Sequence, residues 1–150
     1  MRLTLAGEYA IRTMMYLAEF SFDRRAQISE ISKACDIPES FLRNIVLKLS
    51  KHQLILSQRG AGGGVKLMRS PDTISLLDVV VAIEGEIALN RCLLPSQDFC
   101  KETSLCAVHA IWTQAQKSMV EELSNVTLQS LANINRERYE KFVQGSKETQ

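Results

Sequence analysis

From residue 5 to about residue 20 the apolar positions Leu5, Ile11, Met14, Met15, Leu17 and Ala18 recur at the spacing of one face of an amphipathic helix. Gly7 inside that run costs helix propensity and leaves the start of the helix open. A polar turn over residues 21–27 follows, and Ile28, Ile31 and Ala34 then repeat across a second, short helix. Cys35, Asp36, Ile37 and Pro38 interrupt it, and Pro38 suits the first turn of a third helix. That helix runs to about Lys51. Its pattern buries Phe41, Leu42, Ile45, Val46 and Leu49 and leaves Arg43, Asn44, Lys48 and Lys51 outward. Two helices joined by so short a break make a candidate helix-turn-helix, although an ordinary helical hairpin with a solvated face shares the pattern.

The next segment separates the two. Residues 54–59 read as a short strand, residues 60–64 hold four glycines in five positions, and Val65, Lys66 and Leu67 read as a return strand. Glycines at that density permit positive φ, so the segment is a β-hairpin with a glycine-rich tip. No Lys-Ser or Lys-Thr follows to complete a phosphate-binding Walker loop. A strand rather than a helix follows the glycines, which also excludes a dinucleotide-binding fingerprint. A helix-turn-helix followed by a hairpin with Arg59 at its tip is a winged helix.

Ser70, Pro71 and Asp72 mark a boundary, and Thr73 or Ser75 can cap a helix over residues 76–83. Further on, Val108, Ile111, Trp112, Ala115, Met119 and Leu123 form one apolar stripe on a helix of about five turns. Such a stripe needs a covering surface: the same helix of a second copy, the chain's own first helix, or both on different sides. A break at residues 125–127 precedes a short helix capped by Thr127 and running through Leu131 to Ile134, and the polar tail from Gln144 reads as loose. The expected fold is mainly α with a small β-hairpin wing. It divides into a winged helix-turn-helix domain (1–70), a ligand-binding loop with a long dimerisation helix (71–134) and a C-terminal extension (135–150).

Charge sharpens this division. The whole chain carries only +1, yet residues 1–70 hold eleven Lys and Arg against six Asp and Glu, and residues 71–150 hold seven against eleven. A +5 half joined to a −4 half is expected where one end meets a polyanion, here double-stranded DNA. Arg2, Glu8, Arg12 and Glu19 interrupt the apolar start, and no run reaches membrane-spanning length. The reading is therefore a cytoplasmic chain without a membrane partner, whose thiols stay reduced.

Reduced thiols matter because three of the four cysteines and one of the two histidines follow the spacing Cys92-x7-Cys100-x5-Cys106-x2-His109. Soft thiolates so clustered point to a metal, and the ligand set alone admits either zinc or iron–sulfur iron. A zinc site at these four residues, or a thiol-redox switch at the cysteines, stays open beside a cluster. No cysteine has an evident acid–base system to make it a nucleophile, so an enzyme with a small-molecule substrate is not expected. Cys35 falls among core positions and reads as packing, His52 as a phosphate neighbour or solvated residue, and Trp112 as interface core.

The start MRLTLAGEYAIR, the segment ISEISKACDIPESFLRNIVLKLSKHQLI, the wing SQRGAGGGVKL and the three spaced cysteines together resemble a known family. It is that of the winged helix-turn-helix iron–sulfur transcriptional regulators (IscR- and NsrR-like), and the resemblance covers residues 1 to about 134. It implies a homodimeric transcription factor, a repressor, whose DNA affinity is set by an iron–sulfur cluster sensing iron, nitric oxide or redox state. Carried over by position, Cys92, Cys100 and Cys106 would be cluster ligands. The fourth would be His109, as in the cluster-regulator branch, or Glu8 reaching in from the partner subunit, as in the nitric-oxide branch. The Cys-x2-His spacing at a helix start puts both side chains on one side of the turn and favours His109. Ser40, Arg43 and Asn44, with Lys48 and Lys51, would lie on the recognition helix. Arg59, Gly60, Gly62 and Gly63 would form the wing that reaches the minor groove. Family members usually place the first two cysteines closer together, so the cluster type, [2Fe–2S] or [4Fe–4S], does not carry over.

Overall fold

The computed structural model describes residues 3–94 and 105–147. Six α-helices and one two-stranded hairpin follow in the order α1 (Leu5–Ala18), α2 (Ile28–Cys35), α3 (Glu39–Lys51), β1 (Ile55–Gln58), β2 (Gly64–Leu67), α4 (Leu76–Glu84), α5 (Ala107–Asn125) and α6 (Leu128–Lys147). Single 3-10 turns at Pro71–Thr73 and Arg91–Leu93 flank α4.

Thr4 caps α1, its hydroxyl accepting from the Gly7 N–H at 3.2 Å. The Glu84 carboxylate at the end of α4 takes both the Thr4 N–H (3.0 Å) and the Thr4 hydroxyl (2.7 Å). Gly7 is what admits Glu84, because a Cβ there would run into its Oε1 and into the Leu3 side chain. The glycine that lowers helix propensity thus lets α4 fasten onto the head of α1. Asp36 ends α2 in the left-handed conformation (φ 53°), and its N–H bonds the Ser32 carbonyl. Pro38 sits at the N-cap of α3, one place before the first turn expected from the sequence. Ser75 and Asp78 close a reciprocal cap on α4, which selects Ser75 over Thr73.

The core gathers Met14 from α1, Ile31 from α2, Leu42, Ile45 and Leu49 from α3, Ile55 and Val65 from the hairpin and Val79 from α4. Leu128 and Ala132 of α6 belong to the same cluster. Each fully buried aliphatic contributes roughly 1.5–3 kcal/mol against exposure. Sequence periodicity misplaced two residues. Ala34 is exposed while its neighbour Cys35 is half-buried, so α2 turns a different edge inward. Phe41 stays 41% exposed. It lies at the rim of the core, edge-on to the Tyr9 ring with centroids 5.7 Å apart.

The last helix departs most from expectation. Thr127 and Ser130 cap it reciprocally at 3.1 Å each way, but α6 begins at Leu128 and continues to Lys147. The Thr127 cap is as expected, but the helix does not stop at Ile134 and takes in residues 144–147 of the tail. Its second half is mostly polar, with only Tyr139, Phe142 and Val143 at helical spacing, and helix-forming Arg, Glu and Lys carry the helix onward. α5 has the expected length and packs on α4 and on the Arg91–Leu93 turn, but none of its residues is buried. The first part of the stripe is left uncovered within one chain, with Val108 60% and Ile111 69% exposed, while Met119 and Leu123 are half-buried.

Candidate nucleic-acid interface and cysteine site

Helix α3 presents Ser40, Arg43, Asn44, Leu47 and Lys51 at three- and four-residue steps, so they share its outward face, and all five are exposed. Beside this face the hairpin folds back with Ile55 opposite Leu67 and Gln58 opposite Gly64. Between α3 and the hairpin lies a cleft of about 690 Å3, to which Arg43, Asn44, Leu47, Gln58, Arg59 and Gly60 contribute. Arg43 pairs with Glu39 one turn earlier at 3.0 Å. At the surface such a pair is weak, so it leaves the guanidinium available to a stronger acceptor.

The other residues singled out by sequence fall around this cleft in different ways. Ser40, Lys48 and Lys51 are exposed on α3 but do not line it. Gly60 (φ 93°) and Gly62 (φ 75°) turn the exposed tip. Gly63 is buried, its N–H bonding the Gly60 carbonyl at 2.9 Å, so it braces the turn from inside.

What holds the wing was not legible in sequence. Ala26, in the loop between α1 and α2, exchanges both backbone bonds with Val65 (2.9 and 2.8 Å), adding a third rung to the hairpin. The Gln27 side-chain amide donates to the Gly63 carbonyl at 2.6 Å. Gly64 (φ 141°) makes this docking possible, because a Cβ there would lie 2.9 Å from the Ala26 carbonyl oxygen. Gln27 is also the N-cap of α2, where the Glu30 carboxylate reaches back to its N–H at 3.4 Å. Glu30 in turn accepts the Tyr16 hydroxyl (2.6 Å) and pairs with Arg24, which stacks 3.7 Å over the Phe20 ring. The Tyr16 hydrogen bond leads in holding the Glu30 carboxyl below its ordinary range, and burial followed by that same bond raises the Tyr16 phenol. A polar residue just before a helix, ahead of a glycine hairpin, was the only available signal for Gln27. We expect Gln27→Ala to leave the thermal melt within a degree or two and to weaken DNA binding severalfold by loosening the wing. Circular dichroism paired with a gel-shift titration checks this.

The cysteine site begins in the segment that follows α4. Cys92 sits in the Arg91–Leu93 turn, half-buried and unpaired, and that turn packs on α5. Leu89 ties the same segment to α5 through its N–H and the Gln116 side-chain oxygen, at 3.0 Å. Cys106 is the N-cap of α5, also half-buried and unpaired. His109 follows in the first turn, its N–H on the Cys106 carbonyl at 3.1 Å. Cys100 lies outside the described residues. Among those described, no three His, Cys, Asp or Glu side chains group as a metal site. Glu8 is exposed on the first turn of α1.

One atom here is out of balance. Among the described residues the His109 Nδ1 is buried without a hydrogen-bond partner. A buried imidazole nitrogen left unbonded costs about 1–3 kcal/mol, unless something absent from the free chain takes it. Two free thiols and such a nitrogen are the donor chemistry of an iron–sulfur or zinc site, so the residues present fit the group. Cys35 stands apart. Its thiol faces the Arg12 carbonyl at 3.7 Å, and burial, then the Glu19 carboxylate, pushes its pKa up.

A recognition-type helix beside a docked glycine wing defines a winged helix-turn-helix protein. Residues 3–134 match the Rrf2 model, described as an iron-dependent transcriptional regulator, and the chain belongs to that family. It is 33% identical over 133 residues to the HTH-type transcriptional regulator IscR of Sodalis glossinidius (strain morsitans), covering 89% of this chain and 79% of that one. Its fold is similar to that of T. potens IscR, with a TM-score of 0.72, 24% identity and coverage of 92% of this chain and 90% of that one. It is also similar to the oxidised form of CymR from Staphylococcus aureus, with a TM-score of 0.68, 26% identity and coverage of 88% and 96%. These relatives are regulators of transcription, not enzymes, and DNA binding comes with the family. No helix among the described residues is long and apolar enough to cross a membrane.

Proposed function

We propose that the chain is a homodimeric repressor of transcription whose grip on operator DNA is set by an iron–sulfur cluster held at Cys92, Cys100, Cys106 and His109. The observation that carries this reading is the orphaned Nδ1 of His109, on the helix that Cys106 opens and against which the Cys92 turn packs. When bound, a cluster supplies a centre that iron shortage, nitric oxide or oxidation can dismantle, and a histidine ligand makes it more exchangeable than four thiolates would. Residues 1–70 would bind DNA and residues 71–134 would hold the ligand and the second subunit. Residues 135–150 would extend beyond both. The uncovered stripe of α5 supplies an apolar face for a two-fold partner. In such a dimer Glu8 is the alternative fourth ligand, reaching across.

The coupling rests on this chain's own contacts. Cys92 and Cys106, when both engaged, fix the Arg91–Leu93 turn against the start of α5. α5 packs on α4, and Glu84 at the end of α4 caps α1 through Thr4. The far end of α1 reaches Glu30 through Tyr16, and Glu30 shares the α2 cap with Gln27, which grips the wing. Releasing the two thiols would loosen the first contact and so bias the pose of wing and recognition helix.

Anaerobic purification tests the ligand. A brown protein with visible absorption supports the cluster, and a colourless one with stoichiometric zinc sinks it. A thiol-redox switch is the second reading, favoured by two unpaired half-buried thiols and by the likeness to a regulator crystallised in an oxidised form. It requires a colourless, metal-free protein whose DNA binding responds to oxidant. The polyanion reading has its own check. With Arg43, Lys48, Lys51 and Arg59 from each subunit near phosphates, affinity should fall about ten-thousandfold between 50 and 200 mM salt. Arg59→Ala should weaken binding and flatten that slope, and unchanged binding would remove the wing from the interface.

A further inference from the structure

Resting on that DNA-binding reading, we propose that Leu47 is a specificity-determining residue that reads the 5-methyl group of a thymine in each operator half-site. Leu47 is 71% exposed near the middle of α3, one turn beyond Arg43 and Asn44, and lines the same cleft. Its exposure is not explained by packing within the chain. Phe41 on the same helix meets the Tyr9 ring, Phe22 lies under Lys66, and Phe20 stacks on Arg24. Leu47 is more exposed than any of these.

Its surroundings select the occupant. Arg43, Asn44, Lys48 and Lys51 surround it on α3, and Arg59 stands across the cleft. An apolar protein partner would have to bury these cations and the Asn44 amide to reach it. A DNA major groove would instead place phosphates by the cations and base edges by Asn44, and the thymine methyl is its one apolar feature. The leucine and the cations are thus satisfied by a single partner.

The probe is a duplex enriched from a random double-stranded pool by the full-length protein, in which each thymine is replaced in turn by deoxyuridine. This removes the methyl and leaves the hydrogen-bonding edges intact. At one thymine per half-site the replacement should weaken wild-type binding about fourfold, the effect of one methyl-sized group withdrawn from contact. Leu47→Ala should bind the unmodified duplex correspondingly less well and be indifferent to that replacement, while Leu47→Met keeps the sensitivity. Enrichment without any thymine at which wild type and Leu47→Ala differ overturns the inference and leaves the DNA reading standing. A pool from which nothing enriches overturns both. Loss of the dimer in Leu47→Ala would assign the side chain to a protein contact and overturn the inference as well.

Discussion

Cys106→Ala protein, purified without oxygen, should be colourless where the wild type is brown, with iron and acid-labile sulfide both lost. The effect should be close to complete because Cys106, the N-cap of α5, is a ligand in the proposed site. Positioned there, its thiolate would face the orphan N–H groups at the positive end of the helix, where an anionic centre is favoured. The fold should survive, since Cys106 is half-buried and absent from the hydrophobic core. His109→Ala should be graded instead, holding iron but losing it faster to chelator or air. If Cys106→Ala, Cys92→Ala and Cys100→Ala all keep the wild-type spectrum, the ligand assignment is wrong.

Gly64→Ala should cost more in DNA affinity than loss of any single cation on α3. Its φ of 141° is unfavourable for any residue with a side chain, and the added Cβ would meet the backbone carbonyl of Ala26, which has no rotamer to yield. Strain of this kind costs about 1–3 kcal/mol, and relief means breaking the Ala26–Val65 rung. The wing would then swing from the position that Gln27 and Ala26 give it. We expect at least a tenfold loss of DNA affinity with helical content unchanged. Gly62→Ala, with nothing near its missing Cβ, is the control with the smaller effect. Equal affinities for Gly64→Ala and wild type would show that the docked wing is not part of the interface.

These two sites were legible to different depths. The helix-turn-helix and the hairpin could be read because Leu42, Ile45, Val46 and Leu49 repeat at helical period, and four glycines leave few alternatives. The docking of the wing could not be read. It rests on backbone bonds from Ala26 and one amide from Gln27, and backbone bonding leaves no periodicity. Phe41 misled because an apolar residue at a core-facing step can lie at the rim against an aromatic neighbour. The length of α6 was less legible, since between Ile134 and Tyr139 its run is wholly polar and interrupts the apolar pattern. At the cysteine site the spacing suggested the donors, while the packing of the Cys92 turn on α5 came only with the fold. Cys92 reaches α5 through the packing of a 3-10 turn, and the idle nitrogen of His109 is a property of its surroundings.

In the proposed regulator, ligand occupancy at the cysteine site sets DNA affinity at α3 and the wing. Titration of one operator duplex with the same protein preparation, before and after anaerobic removal of its iron, measures this coupling. Kd should shift at least fivefold, as expected for a coupling of about 1 kcal/mol or more, and the shift should be lost in Cys106→Ala. Identical binding curves for the iron-loaded and iron-free protein would contradict it.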